Sequence, residues 1–132
     1  MSFRRKVSLV LCAIVILCGV GGYVVFAGAN APLVILDLRD QSQVSVVLTE
    51  EGFVPAYMRV RKGAVVTFST TRSNQFWPAS NPHPSHEIYD LFDPQRPLNP
   101  DESWTITIDR VGTWGYHDHI RSYFTGEIYV EE

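Results

Sequence analysis

The sequence predicts an all-β domain, a sandwich of two sheets, preceded by one N-terminal transmembrane helix. A long uncharged apolar segment comes first, short alternating strand patterns separated by Gly- and Pro-rich turns follow, and no 3.6-residue helical period appears after the apolar segment. The chain of 132 residues has room for one such domain and a membrane anchor.

The apolar segment, residues 7–29, contains no charged residue. Twenty helical residues rise about 30 Å, which matches the hydrocarbon core of a bilayer. Three basic residues at positions 4–6 precede the segment, and such flanks stay in the cytoplasm, so residues 1–6 are expected there. We therefore expect a membrane-anchored protein whose domain lies on the periplasmic or extracellular face. The alternative is a signal peptide cleaved at the small residues 27–29, which gives a secreted protein.

Composition limits the chemistry of the exported part. Both cysteines, Cys12 and Cys18, fall inside the apolar segment, so the expected domain has no disulfide and no thiolate metal ligand. All fourteen acidic residues but only eight of the eleven basic ones follow residue 31, which gives that part a formal net charge of about −6. Such a charge argues against a nucleic acid partner and favours cations. No feature indicates a particular protein partner.

A linker is expected over residues 30–42, in which residues 33–38 form either a short strand or an extended connection. The domain is expected over residues 43–132. Its first part alternates between apolar and polar residues in "QVSVVL", "AYMRVRKG" and "AVVTFST", and the pattern returns in "WTITIDR". In these strands Met58 and Val60 share one face, as do Trp104, Ile106 and Ile108.

Between these strands, residues 72–103 lose all periodicity and hold six of the eight prolines. Long loops without structure of their own are usually functional or disordered. Because four aromatic residues punctuate this one, we expect it to be packed against the domain. They are Phe76, Trp77, Tyr89 and Phe92.

All four histidines occur in two pairs, "HPSH" in this loop and "HDH" near the end of the chain. Residues two apart on a strand point to the same face, so His117 and His119 are expected to project together. The prolines on both sides of His83 restrict its backbone, which lowers the entropy lost when a ligand is fixed. His86 completes the set. We predict that these four histidines bind one metal ion.

Imidazole suits zinc, copper, iron and nickel, and four nitrogens without sulfur fit Cu(II) in a tetragonal field, or Zn(II). Copper is favoured because it outcompetes zinc at such sites. The carboxylates of Glu87, Asp90 and Asp118 are interpreted as solvated, with the alternative that Asp118 orients an imidazole. Tyr116 and Tyr123 are interpreted as packing residues. No residue is assigned a catalytic role.

Three stretches together resemble the cupredoxins, single-domain copper proteins with a Greek-key β-sandwich. The stretches are "GFVPAYMRVRKGAVVTF", "PLNPDESWTITIDRVGTWGYHDH" and "FTGEIYV", and the resemblance covers residues 44–130. The pattern "WPASNPHPSHEIYDLFDP" with "YHDH" is similar to exported, often membrane-anchored bacterial members. The resemblance implies a cupredoxin-like fold and a copper site.

The chain departs from the blue-copper members of that family at the metal loop. His117 occupies the region of their cysteine, His119 that of their histidine, and Phe124 the position of their axial methionine. Their upstream histidine falls near His83 or His86. Without a thiolate, a blue-copper charge-transfer site is not expected.

Three functions remain open at this point. The first is a copper-holding protein in copper handling or redox chemistry. The second is a copper- or zinc-dependent enzyme, an oxidoreductase acting on a small molecule, in which three histidines and an open coordination position activate O₂, superoxide, nitrite or a zinc-bound water. The third is a metal-free interaction module that presents the aromatic residues of "SNQFWP" to a partner.

Overall fold

The computed structural model describes residues 33–132, which form two β-sheets. The predicted segments 1–6 and 7–29 lie outside the described residues. Among residues 33–132, no helix has the length and apolar character needed to cross a bilayer.

The described part of the chain contains nine strands and one 3₁₀ helix. In chain order they are β1 (Leu36–Asp37), β2 (Gln43–Leu48), β3 (Phe53–Val54), β4 (Tyr57–Arg61), β5 (Ala64–Thr70), β6 (Pro78–Ser80), the 3₁₀ helix (Glu87–Tyr89), β7 (Trp104–Ile108), β8 (Gly112–Asp118) and β9 (Arg121–Glu131). One sheet has the order β1-β4-β9-β8-β6 and the other the order β3-β2-β5-β7. The prediction of an all-β sandwich is confirmed, and the short strand expected within residues 33–38 is β1.

The buried residues of the strands follow the alternation seen in the sequence. Met58 and Val60 of β4 are fully buried, and so is Ile108 of β7, while Ile106 is nearly so. Successive side chains of a strand point to opposite faces, and the apolar face of each sheet turns toward the other. Trp104 is partly buried and packs against this core. The predicted faces of β4 and β7 are confirmed.

The proline-rich loop is packed, as expected. Phe76, Tyr89 and Phe92 are fully buried. The ring of Phe92 stacks on Tyr116 at 5.4 Å and on Trp104 at 5.8 Å between centroids, which places the loop inside the aromatic core. Aromatic pairs of this kind add about 0.5–1.5 kcal/mol beyond the area they bury. The loop is therefore part of the folded domain.

The pairing of β6 with β8 brings the two histidine pairs to one edge of the sandwich. The strands are antiparallel, and Ala79 lies opposite His117. The loop that leaves β6 carries His83 and His86, and it starts opposite Gly115, near the middle of β8. Because β8 ends at Asp118, His119 lies in the following turn rather than in the strand. The strand interpretation is thus correct for His117 and one residue too long for His119.

Candidate metal centre

The four histidines come together in one cluster. Each offers a ring nitrogen, and the four nitrogens all lie within 4.8 Å of one another. Two of the imidazoles come from the loop after β6, one from β8 and one from the turn after β8. This is the spatial arrangement on which the predicted metal site depended.

Two of the nitrogen pairs are in direct contact. Nδ1 of His83 lies 3.1 Å from Nε2 of His117, and Nε2 of His86 lies 2.8 Å from Nδ1 of His119. Nitrogens bound at about 2.0 Å to one ion, at angles of about 90–110°, are about 2.8–3.3 Å apart. These two distances match those of adjacent ligands in a coordination sphere. Four imidazole nitrogens are also a donor set that suits copper or zinc.

The carboxylate of Asp93 fixes the orientation of His86. Nδ1 of His86 donates to Oδ2 of Asp93 at 2.7 Å, and the indole Nε1 of Trp77 donates to Oδ1 at 2.7 Å. Because an ionised carboxylate only accepts hydrogen bonds, His86 carries its proton on Nδ1 and presents the lone pair of Nε2 to the cluster. Burial alone raises the pKa of Asp93, but the hydrogen bonds from His86 and Trp77 outweigh it and hold that pKa below its ordinary value.

The amide of Asn81 fixes the orientation of His117 in the same way. Nδ1 of His117 donates to Oδ1 of Asn81 at 2.9 Å, so Nε2 of this ring also presents its lone pair to the cluster. Asn81 reaches this position because residue 115 is a glycine. A Cβ atom there would lie 2.5 Å from Nδ2 of Asn81.

Trp77 positions His119 by two contacts. The indole and imidazole rings are 4.4 Å apart between centroids at 39°, and the backbone N–H of His119 donates to the carbonyl oxygen of Trp77 at 2.7 Å. Through its Nε1–H, the same indole also contacts Asp93. One tryptophan therefore connects the turn after β8 with the carboxylate that holds His86.

The four imidazoles differ in exposure, and two of them have lowered pKa values. His117 is 1% exposed and His86 6%, whereas His83 lies at the surface. Burial, followed by the neighbouring imidazoles of His86 and His83, lowers the pKa of His117 to about 4. Burial and the same neighbours also lower the pKa of His119. Neutral rings keep free lone pairs, so the lowered pKa values of His117 and His119 favour binding of a cation by these two rings.

The interpretation of Asp118 as a solvated carboxylate is wrong, because its side chain is fully buried. It accepts hydrogen bonds from the backbone N–H of Trp77 at 2.8 Å and from Arg121 at 2.9 Å. In the described part of the chain its hydrogen bonds do not reach an imidazole, so the alternative role of orienting a histidine belongs to Asp93. Asp118 instead ties the end of β8 to the loop and to β9.

The other two carboxylates and Tyr116 agree with their sequence interpretation, whereas Tyr123 does not. Glu87 and Asp90 are exposed, and Asp90 pairs with Arg110 at 3.0 Å. Tyr116 is fully buried in the aromatic core, and burial raises its pKa. Tyr123 is the exception, because it is 73% exposed and does not pack in the sandwich.

Sequence reasoning missed the three residues that surround the ligands, namely Asp93, Asn81 and Trp77. All three lie inside the stretch "WPASNPHPSHEIYDLFDP", which carries the most specific part of the resemblance. The only sequence signal was that Asn81 and Asp93 lie within the same short stretch as His83 and His86. Their contacts with the histidines depend on the path of the loop, which no local pattern indicates.

No family model matches the sequence, and no curated protein matches it. Among solved structures, a purple cupredoxin from Nitrosopumilus maritimus is similar with a TM-score of 0.58 and 16% identity, and the match covers 67% of this chain and 99% of that one. A Cu-containing nitrite reductase from Thermus scotoductus has a TM-score of 0.55 and 21% identity, with 82% of this chain and 25% of that one covered. A plastocyanin from Dryopteris crassirhizoma has a TM-score of 0.52 and 19% identity, with 66% and 99% covered.

The fold and the site together define a cupredoxin-like domain. Its candidate metal site is rich in histidine, because the four clustered side chains are all imidazoles and residues 33–132 contain no cysteine. The four clustered imidazoles are a donor set that suits copper or zinc.

Proposed function

We propose that this protein holds one copper ion through His83, His86, His117 and His119 and serves in copper handling outside the cytoplasm. The observation that carries the proposal is the convergence of four ring nitrogens within 4.8 Å. Two of these rings are held with their lone pairs toward the centre by Asp93 and Asn81.

The donor set favours Cu(II) over Cu(I). Residues 33–132 contain no cysteine, and Met58, their one methionine, is fully buried in the core. Nitrogen ligands without sulfur suit Cu(II), and such a site reorganises more on reduction than a thiolate site does. Holding and releasing copper is therefore a better match than fast electron transfer.

Export and anchoring are part of the proposal and rest on the sequence of residues 1–29. Alkaline phosphatase fused after residue 132 is expected to be active in bacterial cells, because that enzyme matures only outside the cytoplasm. An epitope tag at residue 1 distinguishes the anchor from the signal peptide, since only an uncleaved anchor leaves the tag on the membrane-bound chain. An inactive fusion would contradict export.

The metal proposal is tested by titrating the full chain, purified in detergent and stripped with a chelator, with Cu(II) and Zn(II). We expect one tightly bound copper per chain that equimolar zinc does not displace. The matched control is a variant with all four histidines changed to alanine, which should bind no copper tightly. Equal copper binding by both proteins would overturn the proposal.

The same preparation separates a copper-holding protein from an enzyme. We expect copper loaded on the protein to pass to a chelator in a single stoichiometric event. Copper-dependent turnover of superoxide or nitrite that is lost in His117→Ala would instead support the enzyme alternative.

A further inference from the structure

The carboxylate of Asp93 connects two of the three ligand-bearing segments, because it contacts His86 directly and His119 through Trp77. Its Oδ2 accepts the Nδ1–H of His86, and its Oδ1 accepts both the Nε1–H of Trp77 and the backbone N–H of Gln95, each at 2.7 Å. The side chain of Asp93 is 16% exposed, so these contacts are largely shielded from water. Three donors thus meet one anion at the edge of the histidine cluster.

We propose that Asp93 and Trp77 form a positioning pair that sets the tautomer of His86 and the ring plane of His119. The inference rests on the proposed function, because it assigns these residues a role toward the metal centre.

The two oxygens of Asp93 accept hydrogen bonds from different donors, and only a carboxylate can accept on both sides. Both sides of the group must accept, since His86, Trp77 and Gln95 all donate to it. An amide has one accepting oxygen and one donating NH₂ group. In Asp93→Asn the amide orientation that places the oxygen toward Trp77 and Gln95 is favoured, because two N–H donors lie on that side. The NH₂ group then faces Nδ1 of His86.

Facing an NH₂ group, Nδ1 of His86 must become an acceptor, and the ring proton moves to Nε2. Nε2 is the atom that lies 2.8 Å from Nδ1 of His119 at the centre of the cluster. A proton there occupies the lone pair that a metal ion needs. The substitution therefore removes one ligand without changing the size of the side chain.

Trp77 acts on the other segment by ring contact, with the two ring planes tilted by 39°. Its ring lies 4.4 Å from that of His119, and its Nε1–H holds the indole against Asp93. Trp77→Phe keeps an aromatic face for His119 and leaves the contact between His86 and Asp93 in place. Trp77→Leu removes the aromatic face and likewise keeps the hydrogen bond between His86 and Asp93. Both variants lose the hydrogen bond from Nε1 of Trp77 to Asp93, and only Trp77→Leu also loses the aromatic contact with His119. A comparison of the two variants therefore isolates the effect of the aromatic contact.

The first measurement is long-range ¹H–¹⁵N NMR of the metal-free full chain in detergent, which reports the tautomer of each histidine. We expect His86 to carry its proton on Nδ1 in the unchanged protein and in Trp77→Phe, and on Nε2 in Asp93→Asn. Because no metal is present, this result is independent of whether the protein binds copper. A proton on Nε2 of His86 in the unchanged protein would overturn the inference even if Asp93→Asn failed to fold.

The second measurement is Cu(II) affinity by competition with a chelator. Changes of hydrogen-bonding partners to metal ligands typically lower affinity about 10- to 100-fold, and we expect this for Asp93→Asn. Both Trp77 variants lose the hydrogen bond to Asp93. Trp77→Phe should lose less affinity than Trp77→Leu, because it keeps an aromatic face for His119, and both should lose less than Asp93→Asn. Weakening by Asp93→Asn without a change of the His86 tautomer would show a purely structural effect and refute the positioning role. Tautomers as expected with no copper binding by any variant would reject the proposed function alone.

Discussion

The amide oxygen of Asn81 lies 2.9 Å from Nδ1 of His117, and that contact is possible because residue 115 of the neighbouring strand segment has no side chain. Gly115, the glycine of "TWGYHDH", therefore leaves the space that Asn81 needs in order to hold His117. The hydrogen bond leaves Nε2 of His117 as the atom that faces the other imidazoles.

Gly115→Ala is expected to lower Cu(II) affinity about 10- to 100-fold while the domain remains folded. The new Cβ atom would lie 2.5 Å from Nδ2 of Asn81, and the amide must move away and release His117. Chelator competition gives the affinity, and circular dichroism checks the fold. Thr113→Ala on the same strand is the control, because Thr113 is exposed. Unchanged affinity in Gly115→Ala would mean that Asn81 does not support the site.

His83→Ala and His117→Ala should differ in severity. His83 is exposed, so water can take its place and three nitrogens remain. His117 is 1% exposed, and its removal also leaves the amide of Asn81 without its partner. We expect copper affinity to fall about tenfold more in His117→Ala than in His83→Ala, a difference of about 1.4 kcal/mol. Equal losses, measured by the same competition assay, would contradict the distinction between an exposed and a buried ligand.

The metal-free protein should lose stability as the pH falls from about 6.5 to about 4. Burial lowers the pKa of His117 to about 4 in the folded state, whereas an unfolded histidine titrates near 6.5. In this window the unfolded chain binds a proton that the folded one does not, so the free energy of unfolding decreases on acidification. Above pH 6.5 both states are neutral and this contribution is fully present.

Urea unfolding of the chelator-treated protein between pH 7.5 and 4.5 measures this effect. His117 contributes at most about 1.4 kcal/mol per pH unit, the value for one proton. The His117→Gln variant should show a smaller slope, because it lacks the titrating ring. Identical slopes for the two proteins would show that His117 is not the group responsible.

Asp118→Ala is expected to destabilise the metal-free domain by about 3 kcal/mol. The buried carboxylate accepts hydrogen bonds from Trp77 and Arg121, and its loss leaves a largely buried guanidinium without its charged partner. Chemical denaturation measures the change. Asp40→Ala is the matched control, because Asp40 is exposed and should change stability by less than about 0.5 kcal/mol. Equal stability of both variants would contradict a structural role for Asp118.

The strands could be predicted from the sequence because their burial follows a local rule. Alternation in β4 and β7 is readable from neighbouring residues, and both faces were predicted correctly. The grouping of the histidines could be predicted because few histidines are present and they occur in two close pairs. The strand β6 could not, since Pro78–Ser80 is three residues long and takes its conformation from pairing with β8.

The surroundings of the histidines could not be predicted for a similar reason. Asp93 and His86 are seven residues apart in the chain, and the 3₁₀ helix between them turns the carboxylate back toward the ring. Asp118 looks like a surface residue in "YHDH", yet the pairing of β8 with β6 covers it. The contact of Asp93 with His86 and the burial of Asp118 both depend on tertiary contacts of a long loop.

The central claim is that one copper ion is surrounded by imidazoles from the loop and from the end of β8. Electron paramagnetic resonance of the full chain loaded with one equivalent of Cu(II), with pulsed detection of the imidazole nitrogens, tests it most directly. We expect one tetragonal Cu(II) signal with nitrogen couplings from several imidazoles, fewer in each single histidine-to-alanine variant, and no intense thiolate-to-copper absorption. A Cu(II) signal that is unchanged when all four histidines are replaced by alanine would contradict it.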